Sequence, residues 1–104
     1  MKNILLVCAA GMSTSMLVKR MKEHAATNNV EVNINALAIS EAKDRIKKNE
    51  ADIVLLGPQV RFQKGEIEEI AQGKIPVAVI DMKHYGQMDG KTVLENALTL
   101  LASH

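Results

Sequence analysis

The stretch Ile4-Leu5-Leu6-Val7-Cys8-Ala9-Ala10-Gly11-Met12-Ser13-Thr14-Ser15 lies near the N-terminus of a chain of 104 residues. Its first four residues form an apolar run that is typical of a buried strand, and the segment after it has the periodicity of an amphipathic helix. The stretch therefore predicts a strand, a loop of small residues and a helix. In a parallel α/β sheet, such a loop lies at the carboxyl edge of the strand, where ligands usually bind.

The small residues of this loop are suited to binding an anion. Backbone N–H groups at a helix N-terminus have no intrahelical partner, and alanine, glycine and serine let an anion approach them closely. Hydroxyl groups can also donate to phosphate oxygens or cap the helix. The helix dipole favours the thiolate form of Cys8, which is the nucleophilic form. The predicted phosphate-binding residues are Ala9, Ala10, Gly11, Met12, Ser13, Thr14 and Ser15.

Patterns typical of strands and helices alternate along the rest of the chain. The predicted helices cover residues 13–26, residues 40–48 with Ser40 as the cap, residues 66–72, and a last segment that contains Val93 to Leu101. The predicted strands after the first cover residues 30–36, 53–56 and 77–80. Residues 59–65 and 81–90 are predicted to be loops, and Asp89 is expected to cap the last helix.

This β-α-β-α-β-α-β-α order predicts one α/β domain over residues 1–104. We expect a three-layer fold with a four-stranded parallel sheet in the order 2-1-3-4 and helices on both faces. That order puts the second strand, whose apolar residues alternate with polar ones, at an edge of the sheet. It also places the Cys8 loop beside the switch point between strands one and three, and the loops after strands three and four reach the same edge.

The composition excludes several classes of protein. Hydrophobic residues make up 47% of the chain and charged residues 24%, and the net charge of +1 argues against a nucleic-acid surface. A single cysteine cannot form an internal disulfide, which fits a reducing cytoplasm. Three widely separated histidines predict no metal site. No apolar run reaches the length of a membrane span or of a signal peptide, so we expect a soluble, unprocessed chain that needs no cofactor.

Two alternative functions share parts of this pattern. Cysteine-dependent phosphatases and arsenate reductases carry an arginine six residues after the cysteine, and that arginine binds the phosphoryl oxygens in the transition state. Here that position is Thr14, and the first arginine is Arg20. Without the arginine, a loop can hold a phosphoryl group and hydrolyse it only slowly, which is what a carrier needs. The other alternative is a non-catalytic α/β module in which Cys8 is an inert buried side chain.

Three segments of the chain resemble the IIB components of the bacterial phosphoenolpyruvate-dependent sugar phosphotransferase system, lactose/cellobiose class. These segments are the opening stretch, Leu56-Gly57-Pro58-Gln59-Val60 and Tyr85-Gly86-Gln87-Met88-Asp89-Gly90. The resemblance covers essentially the whole chain, and the implied fold is similar to that of the low-molecular-weight tyrosine phosphatases.

The resemblance implies a function as a phosphoryl carrier. Cys8 would be the catalytic residue, which accepts a phosphoryl group from a phosphohistidine of a IIA protein and passes it to a sugar through a membrane IIC component. The sugar would be a β-linked oligosaccharide similar to cellobiose or chitobiose, although sugar choice should reside mainly in IIC. The chain would then be cytoplasmic, at the inner face of the membrane, and a monomer when not docked. Residues expected to flank the Cys8 loop as a partner-docking rim are Gln59, Phe62, His84 and Tyr85.

Overall fold

The computed structural model describes residues 2–8 and 14–103, with Thr14 described by its backbone alone. The strands are β1 (Lys2–Cys8), β2 (Val32–Ala38), β3 (Ile53–Leu56) and β4 (Val77–Val79). The α-helices are α1 (Thr14–Thr27), α2 (Ile39–Lys47), α3 (Lys64–Ala71), α4 (Met82–Gly86) and α5 (Gly90–Ser103). A 3₁₀ helix, Pro58–Gln63, lies between β3 and α3.

The four strands form one parallel sheet in the order β2-β1-β3-β4, as predicted. Cys8 pairs with Ala38 of β2, and Val7 pairs with Leu56 of β3. The pairing continues past the end of β3, because the amide of Gly57 donates to the carbonyl oxygen of Val7 over 2.8 Å. Cys8 therefore lies at the carboxyl edge of an interior strand.

Two apolar cores, one on each face of the sheet, confirm the three-layer architecture. Side chains of β1 point alternately to the two faces, as they do along any strand. Ile4 and Leu6 pack in one core with α1 and α5, while Leu5 and Val7 pack in the other with α2 and α3. The periodic positions predicted for the first helix are all buried in the first core: Leu17, Met21 and Ala25.

The two predicted loops at the carboxyl edge contain helices, and this corrects the sequence interpretation. Residues 59–65 fall in the 3₁₀ helix and the start of α3, because Pro58 fixes a helical φ at the first position. Residues 82–86 form α4, and the Asp81 side chain caps this helix by accepting from the Lys83 amide over 2.8 Å. The cap predicted for α2 is wrong, because α2 begins at Ile39 and Ser40 lies inside its first turn.

Asp89 caps α5, as predicted. Its Oδ1 accepts from the Thr92 amide over 3.1 Å, and its Oδ2 accepts from the Thr92 hydroxyl over 2.8 Å. The pKa of the Asp89 carboxyl is lowered. The largest cause is the hydrogen bond from the Thr92 side chain, and the second is the hydrogen bond from the Thr92 backbone amide. The folded state thus favours the ionised carboxylate.

This capping interaction predicts a dependence of stability on acid. Because the pKa of Asp89 is lower in the folded than in the unfolded chain, its stabilising effect is complete above the unfolded value of about 3.9 and disappears as the pH falls through the folded value. An Asp89→Asn variant keeps a cap that does not titrate. In urea unfolding at about pH 5 and about pH 3, we expect the wild type to lose more stability than this variant. Equal losses in both proteins would contradict the role of the carboxylate.

Candidate functional site

Cys8 is the last residue of β1. The strand pairs with β2 on one side and with β3 on the other, so Cys8 lies next to the middle of the sheet. Its side chain is 8% exposed and is not in a disulfide. The sequence predicted this position, at the carboxyl end of the first strand.

The thiol of Cys8 has a described hydrogen-bond partner in the neighbouring strand. Its Sγ donates to the carbonyl oxygen of Leu37 over 3.5 Å. A thiol can make this bond and a thiolate cannot, because the thiolate has no proton to donate. Ionisation of the thiol, or formation of a new covalent bond at the sulfur, therefore removes the hydrogen bond to Leu37 and leaves one donor fewer at the site.

Tyr85, in α4, also lies at this edge of the sheet. Its ring approaches the end of β3, where Cε2 is 3.9 Å from the position that a Cβ atom would take on Gly57. Burial is the main cause that raises the pKa of the Tyr85 phenol, and the second is the repulsion between a phenolate and a thiolate at Cys8. The phenol is therefore neutral at neutral pH. Its hydroxyl is buried and has no hydrogen-bond partner among the residues that the structure describes.

The residues predicted to form a docking rim differ in their exposure. Phe62, in the 3₁₀ helix, is 77% exposed, and Gln59 in the same helix is also exposed. His84 is half-buried in α4. Tyr85 is only 7% exposed, so its buried ring offers little surface to a docking partner.

Two further exposed apolar side chains lie near the same edge and were not predicted. Met82 begins α4 and is 63% exposed, and Met16 lies in the first turn of α1 with 45% exposed. Like Phe62, each belongs to the helix that directly follows a strand of the parallel sheet. The available sequence signal for Met82 was an apolar side chain directly after Asp81, in a segment that is mostly polar.

The predicted phosphate-binding loop is only partly described. Residues 9–13 lie outside the described part of the chain, as does the side chain of Thr14. Thr14 begins α1, and Ser15 is exposed in its first turn. The helix thus begins within the segment that the sequence predicted to bind phosphate.

Arg20 belongs to a different part of the surface from Cys8. It lines a cleft of about 500 Å³ between α1 and the N-terminus of α5, together with His24, Asp89 and Lys91. Cys8 is not among the residues that line this cleft. Within residues 2–8 and 14–103, no group of three or more histidine, cysteine, aspartate or glutamate side chains is arranged to hold a metal ion.

The fold and the position of the thiol define a class of protein: an α/β domain with a cysteine at the strand-to-helix edge of its sheet. A profile of the family described as PTS system, Lactose/Cellobiose specific IIB subunit, matches residues 3–96. The chain is 48% identical over 104 residues to the oligo-beta-mannoside-specific EIIB component of the phosphotransferase system (PTS) from Bacillus subtilis (strain 168), covering 99% of each chain. It is 41% identical to the cellobiose-specific EIIB component from Lactococcus lactis subsp. lactis (strain IL1403), covering 96% of each.

A solved structure extends this similarity to the fold. The solution structure of the cellobiose-specific phosphotransferase IIB component protein from Borrelia burgdorferi superposes with a TM-score of 0.80 at 43% identity, covering 98% of this chain and 93% of that one. The chain therefore belongs to the lactose/cellobiose-specific IIB family of the PTS. IIB components are phosphotransferase components of sugar transport and work with IIA and IIC partners.

The helices in the described part of the chain, residues 2–8 and 14–103, are short. None of the helices there is both long enough and apolar enough to cross a bilayer.

Proposed function

We propose that this chain carries a phosphoryl group on Cys8, taken from a phosphohistidine of a IIA protein and given to a sugar bound to a membrane IIC component. The observation that carries the proposal is the position of Cys8, at the carboxyl end of an interior parallel strand and directly before the segment that leads to α1. Membership of the IIB family supports the same chemistry. The chain would act at the cytoplasmic face of the membrane, through its contact with IIC.

The first transfer moves the phosphoryl group from nitrogen to sulfur. The Cys8 thiolate attacks phosphorus in line, the S–P bond forms and the P–N bond breaks. The imidazole of IIA leaves as a neutral ring, because its second nitrogen already carries a proton. The product is a thiophosphate dianion on Cys8, and no metal or cofactor is needed for the step.

The segment around the start of α1 would hold the three phosphoryl oxygens. In this proposal the donors are backbone amides of residues 9–15, with hydroxyls from Ser13, Thr14 and Ser15. Amides at a helix N-terminus and hydroxyl groups stabilise an anion through hydrogen bonds and the helix dipole. Because an arginine is missing from the position of Thr14, the site lacks a bidentate partner for a hydrolytic transition state. The thiophosphate then persists until an acceptor sugar is reached.

The second transfer regenerates the thiolate. A sugar hydroxyl attacks phosphorus, the O–P bond forms, and the S–P bond breaks, with the hydroxyl proton passing to a base on the IIC side or to water. The relatives are named for oligo-beta-mannosides and for cellobiose, and we therefore propose a β-linked oligosaccharide as the sugar.

The proposal is tested by the intact mass of the chain. The protein is incubated with phosphoenolpyruvate, the general phosphotransferase proteins and a IIA protein of the lactose/cellobiose class. We expect the addition of one phosphoryl group, which disappears when membranes containing the matching IIC and its sugar are added. No addition, with IIA shown to be phosphorylated, would contradict the proposal. Turnover of an aryl phosphate by the same preparation would support the phosphatase alternative.

The exposed ring of Phe62 predicts a docking effect. A Phe62→Ser variant should lower kcat/KM for phosphoryl transfer from IIA about 5- to 10-fold, because aromatic side chains at the centre of an interface contribute most of its binding energy. Its thermal stability should change little, since the ring is 77% exposed. Leu100→Ser, an exposed apolar residue on α5, is the matched control and should leave the transfer rate unchanged. Equal rates for Phe62→Ser and the control would remove Phe62 from the docking surface.

A further inference from the structure

The hydroxyl of Tyr85 is a buried polar atom that the fold itself does not explain. The residue is 93% buried, and the described part of the chain offers this hydroxyl no hydrogen-bond partner. Burying a hydroxyl without a partner lowers stability, and buried polar groups in proteins are nearly always paired. An unpaired donor of this kind can serve a group that is present for only part of the functional cycle.

Two observations place Tyr85 close to Cys8. The Tyr85 ring and the carbonyl oxygen of Val7 lie 3.9 Å and 3.4 Å from the same point, the place of a Cβ atom on Gly57. Val7 directly precedes Cys8 on β1, so the ring packs at the end of the strand that carries the thiol. In addition, the charge of Cys8 contributes to raising the pKa of the phenol, after the larger effect of burial.

Phosphorylation of Cys8 would change which hydrogen-bond donors and acceptors the site requires. Before it, the thiol donates to the carbonyl oxygen of Leu37. After it, the thiol proton is gone, and the thiophosphate brings three oxygens that only accept hydrogen bonds. A dianion in a largely buried place is stabilised by neutral donors that point at it, and each charge-assisted hydrogen bond is stronger than a neutral one.

We infer that the Tyr85 hydroxyl donates a hydrogen bond to a phosphoryl oxygen of phospho-Cys8, which makes Tyr85 a phosphoryl-binding residue. This inference rests on the proposed function, because it requires a phosphoryl group on Cys8. The phenol keeps its proton at neutral pH and so remains a donor. The ring itself is neither a nucleophile nor an exposed docking contact, and its contribution is to stabilise the phosphorylated state.

The test compares wild type with Tyr85→Phe, which keeps the ring and removes only the oxygen. Each protein is equilibrated with phosphorylated IIA, and ³¹P NMR measures the ratio of phosphohistidine to thiophosphate. We expect the equilibrium constant for transfer to Cys8 to be about tenfold lower in the variant, the effect of one hydrogen bond to a charged group. A docking contact would change the rate of transfer but not this equilibrium, so the measurement separates the two roles.

Two further readouts accompany this measurement. The ³¹P shift of the thiophosphate should titrate at higher pH in Tyr85→Phe, because the lost hydrogen bond favoured the dianion. The unphosphorylated variant should unfold at the same or a higher temperature, since the removed hydroxyl has no described partner. Thr99→Ala, which removes an exposed hydroxyl on α5, is the control and should match the wild type in both the equilibrium constant and the thiophosphate titration.

The possible failures can be told apart. If wild type takes up no phosphoryl group, the proposed function fails and this inference fails with it. If wild type is phosphorylated and Tyr85→Phe gives the same equilibrium constant and the same thiophosphate titration, the inference about Tyr85 alone is overturned. An unphosphorylated variant that is destabilised, with an unchanged equilibrium, would also overturn it, because the hydroxyl would then support the fold.

Discussion

Replacing Cys8 with serine is expected to abolish phosphoryl uptake from IIA, with a loss in rate of at least about a thousandfold. The reason is chemical, because a serine hydroxyl is a weak nucleophile unless a general base activates it. Cys8 pairs with Ala38 of β2 and the preceding Val7 pairs with Leu56 of β3, so the substituted oxygen would occupy nearly the same place as the sulfur. Intact mass after incubation with phosphorylated IIA is the measurement, and the wild type should gain one phosphoryl group that Cys8→Ser does not.

The control for this substitution is the fold. A serine hydroxyl at position 8 can still donate to the carbonyl oxygen of Leu37, so circular dichroism and thermal unfolding should report a folded protein. Cys8→Ala lacks that donor and should be equally unreactive. If either variant still gains a phosphoryl group, the acceptor is another residue, and peptide mapping of the labelled protein would identify it.

Replacing Gly90 with alanine is expected to lower the free energy of unfolding by about 2–4 kcal/mol. Gly90 is the buried first residue of α5, where this helix crosses α1. A Cβ atom there would lie 2.6 Å from the carbonyl carbon of Arg20 and from the amide nitrogen of Met21. Because these atoms belong to the backbone of α1, the two helices must separate to admit a methyl group.

The matched control is Gly65→Ala in α3. Gly65 is exposed, and a Cβ atom on it would meet nothing within 4 Å. Alanine has the higher helix propensity, so this variant should be more stable by about 0.5–1 kcal/mol. Thermal unfolding should show a decrease in Tm of about 10–20 °C for Gly90→Ala and a small increase for Gly65→Ala. Similar Tm values for the two variants would contradict the close approach of α1 and α5.

The sheet could be predicted from the sequence because its signals are local and strong. Ile53-Val54-Leu55-Leu56 is a continuous apolar run, and it proved to be buried on both faces. The alternation in residues 30–36 predicted an edge strand, and β2 is at an edge. Parallel connections are almost always right-handed, which leaves few arrangements of four strands to choose from.

The short helices at the carboxyl edge could not be predicted in the same way. A helix of five residues, such as α4, is too short to show an apolar period. The burial of Tyr85 depends on contacts with residues far away in sequence, beside Gly57, and no local pattern contains that information. The cap assigned to Ser40 failed for a related reason: β2 continues to Ala38, and α2 follows it directly.

Of the candidate site, the sequence predicted the thiol and its position at the sheet edge. A strand followed by small residues and a helix is sufficient for that prediction, since the topology then determines where the strand ends. The role inferred for Tyr85 could not be predicted from the sequence, because the inference depends on a hydroxyl that is buried without a described partner. The exposure of Met82 likewise follows from the way α4 packs, and the sequence alone does not specify it.

The interior position of β1 also has a consequence for folding during synthesis. β1 is made before both of its partners, residues 32–38 and 53–56, so neither side of the strand can be paired until the chain has grown well beyond it. Long-range pairing of this kind slows folding relative to helical bundles. On the nascent chain the thiol can therefore gain its hydrogen bond to Leu37 only after β2 has been made, and β1 can become an interior strand only after β3 has been made.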